Sequence, residues 1–245
     1  MVKRIRWIPA ALVCAVVLMS GCASGPQANP KDPLEPMNRS VYRFNEAVDG
    51  AVLKPVAKGY KNVTPELVQK GVRNVFNNFS DVGATVNNAL QLKGRETVES
   101  FMRVLVNTTV GICGVFDVAT YLQIDRHPED FGQTLGYWGV PSGPYVVLPF
   151  FGPSSLRDGT ANFGVDTRFD VVRQLQDVPT RNTALSARLI SKRADLFGAD
   201  AFLDQAALDK YSFMRDAYLQ YRRSQIHDGH PPEEDLTQPD AAKAK

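Results

Sequence analysis

The sequence of 245 residues predicts a mainly α-helical domain with at most one small β-hairpin. Three observations carry that prediction. Apolar residues recur at steps of three and four through most of the chain, the spacing of one helical face. No stretch of comparable length alternates with period two, as half-buried strands would. Neither a sustained heptad nor an internal repeat is present, so the helices are expected to form a single domain over residues 34–226.

The elements follow in order. Lys3, Arg4 and Arg6 precede an apolar run over residues 7–19 and the small residues of "LMSGCASG", the layout of an export signal over residues 1–21 rather than of a membrane span. Ser20 and Gly21 lead directly into Cys22, which resembles a bacterial lipobox. That resemblance implies cleavage before Cys22 and a diacylglyceryl group on its sulfur, with Met19 standing where leucine is usual. Residues 22–33 are polar and carry Pro26, Pro30 and Pro33, so a tether is expected. At about 3.1 Å per residue it reaches roughly 34 Å, which keeps the body close to the membrane.

Met37, Val41, Phe44, Val48 and Val52 define a first helical face, with Pro55 ending the run. Thr64 and Pro65 mark the start of a second helix, with Leu67, Val72, Val75, Phe76 and Phe79 on one side and Arg73, Asn74, Asn77 and Asn78 on the other. A further stripe of Val82, Val86, Ala89 and Leu90 closes at Lys93 and Gly94. The next begins near Arg95, with Val98, Phe101, Met102 and Leu105 inward. Residues 104–122 are apolar enough to raise a membrane span. Asn107, Thr108, Thr109, Asp117 and two glycines oppose it, and the better reading is a helix ending near Asn107, a turn at Gly111 and Gly114, and a short helix beyond. Leu185, Leu189 and Leu196 mark one later helix; Leu208, Tyr211, Met214, Tyr218 and Tyr221 mark another. Between them "GPYVVLPFFGPSSLRDG" is apolar, yet Pro144, Pro149 and Pro153 exclude a central strand, so a hairpin is expected around residues 139–151. Residues 227–245 are charged and proline-bearing, a tail outside the core.

Charge and motif narrow the chemistry. The signal holds three of the 28 basic residues, leaving 25 against 26 acidic ones, and a body with a formal charge of −1 argues against nucleic acid. Removing Cys14 and Cys22 leaves Cys113 alone, so no disulfide framework is available, and its apolar surroundings predict an inert, buried thiol. There is no G-x-S-x-G elbow, no H-E-x-x-H and no Walker sequence. Of the three histidines, two fall in the tail, and His127 reads as an exposed loop residue. Glu129 and Asp130 suit the first turn of a helix better than a calcium loop or an acid and base pair. No catalytic group, metal site or cofactor site emerges.

Six stretches, "DPLEPMNRSVYRFNEAVD", "LKPVAKGY", "NTTVGICGVFDVA", "DFGQTLGYWGV", "GPYVVLPFFGPSSLRDG" and "YSFMRDAYLQYR", resemble in order the blocks of the MlaA (VacJ) family of phospholipid-transport lipoproteins. Leu34 and Pro36 stand where that family often has tryptophan and glycine. The resemblance implies a ring of helices in the periplasmic leaflet of a Gram-negative outer membrane, with a central amphipathic channel, bound to a trimeric porin. It also implies that phospholipid misplaced in the outer leaflet passes to a periplasmic carrier of the Mla type. Ala23 after Cys22 agrees with export to the outer membrane.

Periodicity by itself leaves open whether the helices turn their apolar faces to lipid or to one another. Candidates for the channel lining are Phe79, Val82, Val86, Phe101, Leu105, Ile112 and Phe116. Tyr137, Trp138 and Tyr145 are interface aromatics flanking Phe150 and Phe151, and Gly139, Gly143 and Gly152 give the loop freedom to move as a gate. Arg157 and Asp158 read as a helix start capped by Ser154 or Ser155 with a nearby ion pair, or as headgroup contacts. Two other functions stay open from sequence: a structural porin-associated lipoprotein and an interfacial lipid hydrolase.

Overall fold

The computed structural model describes residue 29 and residues 31–232. The signal, Cys22 and most of the expected tether and tail lie outside those residues. The packed body starts earlier than expected, at Asp32, which is buried and accepts hydrogen bonds from Asn38 and Tyr211.

Helix α1 (Glu35–Val48) does not stop at Pro55. A π-helical turn (Asp49–Leu53) carries it without a break into α2 (Lys54–Val63). Proline lacks an N–H and its ring presses on the carbonyl four residues back. The wider π turn just ahead of it bonds Lys54 N–H to the Asp49 carbonyl five residues back. Helix α3 (Glu66–Leu90) is one 25-residue helix where the apolar stripes predict two. The polar step between those stripes contains Asp81, whose carboxylate is paired and buried rather than exposed at a break. Pro65, not Thr64, occupies the N-cap, and Gln69 instead donates to the Lys61 and Thr64 carbonyls at 3.1 and 2.7 Å.

Helix α4 (Gly94–Thr109) packs along α3, and after a turn comes α5 (Val118–Tyr121). No helix among the described residues is long and apolar enough to cross a membrane. Then follow α6 (Phe131–Tyr137), strands β1 (Tyr145–Leu148) and β2 (Gly152–Ser155), α7 (Leu156–Ala161), a second π turn (Asn162–Asp166), α8 (Thr167–Phe169) and a 3₁₀ turn (Val171–Gln174). Helices α9 (Val178–Asp195), α10 (Phe197–Ala206) and α11 (Lys210–Ile226) complete the described chain. Leu208 falls outside α11 and is exposed, so it belongs to the connection and not to the helical stripe.

The strands pair antiparallel, Tyr145 opposite Ser155 and Leu148 opposite Gly152, a few residues later than expected. With only two strands, each has an open edge. Along β1 that edge is occupied by two side chains from α1. Asn38 accepts from Val147 N–H and donates to the Tyr145 carbonyl, at 2.9 and 3.0 Å. Asn45, two helical turns on, accepts from Phe150 N–H and donates to the Leu148 carbonyl, at 2.8 and 3.0 Å. Two amides thus substitute for a third strand, satisfying backbone groups that would otherwise go unpaired.

The helices close on themselves. Helix α1 leads into α2, α2 packs on α9, α9 on α3, α3 on α6, α6 on α7, α7 on β1, and β1 returns to α1. The buried residues are mostly polar. Asn38, Asp81, Asn88, Arg103, Asn107 and Thr134 are buried, whereas Leu67, Val98, Phe101, Leu105, Ile112 and Phe150 are exposed. Buried polar groups need partners, and these have them except at the Asn88 side-chain oxygen. Arg103 ties α4 to Asp81 at 3.4 Å and to Asp117 at 2.9 Å, Arg126 reaches Asp81 at 2.7 Å, and Asn107 donates to Asp117 at 3.0 Å. A small apolar cluster of Tyr145, Val147 and Tyr211 sits where the hairpin meets α1 and α11.

Candidate functional site

Inside the circuit lies a cavity of about 380 Å³. Phe79, Ser80, Gly83 and Asn87 of α3 form one wall, and Glu129 and Asp130 come from the entry to α6. Phe151 enters from the hairpin turn, Asp166 from the second π turn and Phe169 from α8. Arg173, Arg188 and Lys192 come from the 3₁₀ turn and α9. Each charged group is placed by local structure. Asp130 is the N-cap of α6, accepting from Gln133 N–H at 2.8 Å, one position earlier than the first-turn role its sequence suggests. Asp170 caps the 3₁₀ turn and binds Arg188 through both oxygens, at 3.0 and 2.7 Å. Asp166 accepts from Phe131 N–H at 2.9 Å, and burial pushes its carboxyl up to about 6. Burial pushes the Lys192 ammonium down, with Arg188 adding repulsion, although Lys192 keeps accessible surface on the cavity.

One side of the site rests on an ion network. Asp158 accepts from Tyr218 at 2.7 Å and Arg222 at 3.0 Å and pairs with Arg157 at 2.8 Å, while Arg222 also holds Asp130 at 2.6 Å. Burial alone would raise the Asp158 pKa, but Arg222, Tyr218 and Arg157 overcome it and hold the carboxyl at about 2. Helix α6 approaches closely because it is bare on that side. A Cβ at Gly132 would lie 2.6 Å from the Asp158 carboxylate, and one at Gly136 would lie 2.7 Å from the Arg157 guanidinium. The spacing of four between these glycines is the mark this seam leaves in the sequence.

Among the expected lining residues, the structure brings only Phe79 to this cavity, joined by Phe151 from the expected loop. Val82 and Val86 are half-buried on α3, and Phe101, Leu105, Ile112 and Phe116 are exposed. Trp138, Phe150 and Phe151 are exposed as expected, with Phe150 edge-on to Phe44 at 5.2 Å and Phe151 edge-on to Phe163 at 5.1 Å. Tyr145 is not an interface aromatic. It is 1% exposed, because period two sends it to the inner face of β1 with Val147 and against Tyr211 and Tyr218. Gly139, Gly143 and Gly152 all adopt positive φ, of 87°, 68° and 81°.

Arg157 and Asp158 form the predicted helix start, with Ser155 accepting from Asp158 N–H, and both are buried in the ion network rather than free for a headgroup. They border a wider groove of about 1100 Å³ together with Gly136, Gly143 and Arg222. Cys113 is exposed, not buried, since the turn around it directs Gly114 against Asn78 and leaves the thiol outside. His127 is half-buried and sits 2.6 Å from Glu99, not free in a loop. Among the described residues no cluster of three or more His, Cys, Asp or Glu is arranged to hold a metal ion.

A closed circuit of helices with exposed apolar residues and a charged cavity, and with no helix among the described residues long and apolar enough to cross a membrane, defines a ring-like, mainly α-helical class of protein. The chain belongs to the MlaA lipoprotein family, whose sequence profile matches residues 30–225. It is 35% identical over 216 residues to the intermembrane phospholipid transport system lipoprotein MlaA of Shigella flexneri, covering 86% of this chain and 85% of that one. The MlaA lipoprotein of Haemophilus influenzae is 29% identical, with 96% of each chain covered. An uncharacterised protein of Rickettsia typhi is 35% identical over 198 residues, 80% of this chain and 78% of that one. A solved structure described as the structural basis for maintenance of bacterial outer membrane lipid asymmetry superposes with a TM-score of 0.71 at 32% identity, covering 80% of this chain and 98% of that one.

Proposed function

We propose that this chain is a non-enzymatic phospholipid conduit, anchored through Cys22 in the periplasmic leaflet of a Gram-negative outer membrane. It removes phospholipid misplaced in the outer leaflet and passes it to a periplasmic carrier, holding its position beside a trimeric porin. The observation that carries this reading is the inversion of the α3 and α4 surfaces, whose charged and amide residues are buried while Leu67, Val98, Phe101 and Leu105 are exposed. Exposed apolar surface on this scale is costly in water and stabilising in acyl chains. Phe101, Leu105, Ile112 and Phe116 therefore belong to the lipid-facing exterior, and the cavity supplies polar contacts for a headgroup. The relatives' assignment to intermembrane phospholipid transport supports the same reading.

The loop carrying Trp138, Gly139, Gly143, Phe150 and Gly152 acts as the gate. A Cβ at Gly143 would meet Leu156 at 3.2 Å and would also have to sit at positive φ, so Gly143→Val should slow lipid passage.

The test is mass spectrometry of lipid bound to purified full-length protein, together with a measurement of phospholipid in the outer leaflet of cells lacking the gene. Intact phospholipid should co-purify, and surface phospholipid should rise on deletion and return to normal with the wild-type gene but not with Cys22→Ser. Lysophospholipid or free fatty acid formed from vesicles would instead identify a hydrolase. Porin co-purifying without bound lipid and without any change in asymmetry would identify a scaffold.

A further inference from the structure

The charges on the cavity wall are unevenly paired. Glu129 pairs with Lys93, Asp130 with Arg222, and Asp170 with both Arg173 and Arg188. Among the described residues two on the wall have no ion-pair partner within 4.0 Å, Asp166 and Lys192, and they do not pair with each other. They are of opposite sign. The surroundings of Asp166 are the Phe131 N–H, Asn87, the Asp130 carboxylate and Arg222, whose guanidinium is already committed to Asp130 and Asp158. Around Lys192 are Arg188, Arg126 and Asp170, and Asp170 is already held by two arginines.

Asp166 is half-buried and Lys192 is exposed at the cavity surface, and each shifts in the direction that reduces a charge without a counter-ion. Burial and Asp130 raise the Asp166 pKa to about 6, and burial and Arg188 lower that of Lys192. Such a wall is complementary to a ligand bearing one cationic and one anionic group. Phe79, Phe151 and Phe169, which line the same cavity, suit a ligand that also carries acyl chains. The volume, about 380 Å³, falls within the size of ordinary small-molecule sites, roughly 300 to 1,000 Å³.

We propose that the cavity selects zwitterionic phospholipids, binding the headgroup ammonium at Asp166 and the headgroup phosphate at Lys192. This deepens the conduit reading and rests on it. An anionic lipid such as phosphatidylglycerol satisfies Lys192 equally well but offers Asp166 no cation. One charge-assisted contact corresponds to a preference of about tenfold.

The experiment equilibrates purified full-length protein with nanodiscs holding equal amounts of phosphatidylethanolamine and phosphatidylglycerol of matched chains, and bound lipid is counted by mass spectrometry. The wild-type protein should retain phosphatidylethanolamine over phosphatidylglycerol by about tenfold. Asp166→Asn, which keeps a carbonyl for Phe131 N–H, should bring the ratio to about one by losing phosphatidylethanolamine. Lys192→Gln should reduce both lipids and leave the ratio. Wild-type protein that binds both lipids equally overturns the selectivity while leaving the conduit intact, and protein that binds neither overturns both. An unchanged ratio in folded Asp166→Asn removes Asp166 from the site. If that variant does not fold, the wild-type ratio decides the selectivity, and the amounts bound by Lys192→Gln decide the phosphate contact: undiminished binding of both lipids removes Lys192 from the site.

Discussion

The seam between α3 and α4 and the quarter of the molecule where the hairpin meets α11 are built on opposite principles. In the seam, Arg103, Asp81, Asp117 and Asn107 are the glue, and the apolar stripe points away from it. In the hairpin quarter, Tyr145, Val147 and Tyr211 pack inward as in a water-soluble domain, with the Asp158 and Arg222 network beside them. Neither arrangement would serve in the other's place. On the proposed conduit reading α3 and α4 face acyl chains, where hiding apolar residues gains nothing, so their specificity comes from paired charges and amides. The hairpin hangs from α1 by two asparagines and needs a conventional apolar anchor underneath.

The comparison can be broken experimentally. The largest effect belongs to the seam: Arg103→Leu leaves Asp81 and Asp117 without their shared partner and should cost about 3 to 5 kcal/mol, read as a shift in the urea midpoint in detergent. A wild-type midpoint would mean the seam is held by something other than charge. Val147→Ala in the hairpin quarter should cost roughly 2 to 3 kcal/mol in the same assay, since it opens a gap in an otherwise closed cluster. Asp158 gives a pH signature. Its folded pKa lies below the ordinary 3.8, at about 2, so its contribution is fully present above pH 3.8 and is lost as pH falls through about 2. The lowering corresponds to about 2 kcal/mol, and the stability difference between wild type and Asp158→Asn should shrink over that window. The smallest change in stability is expected at Phe101→Ser, within about 0.5 kcal/mol, because the ring touches no core. The same substitution in a Cys22→Ser background should weaken partition into vesicles by about tenfold, which distinguishes a lipid-facing residue from a merely tolerant one.

Several elements were legible before any coordinates. The helix ending near Asn107, the turn beyond it and the short helix α5 appear where the polar residues and glycines put them, and α9 and α11 form where their apolar spacing puts them, with Leu196 and Leu208 just outside. The Ser155 cap with the Arg157 and Asp158 pair was readable as a local pattern. Pro55 misled because a π turn absorbs a proline that would end an ordinary helix. Tyr145 and Cys113 were exchanged between inside and outside because composition gives amphipathic character without its direction. Asp166, Asp170, Arg188 and Lys192 carried no sequence signal, since charged residues scattered over 27 positions look like a solvated surface until the chain closes around them.

The sequence alone determined the helical class, the family and the positions of most helices, because these depend on local spacing and on ordered blocks that survive without tertiary context. Only the tertiary structure decided which face of each helix is inside. Amphipathicity is symmetric between a core and a bilayer, and the choice depends on whether buried charges find partners from distant elements, as Arg103 does with Asp81 and Asp117 and Arg222 with Asp130 and Asp158.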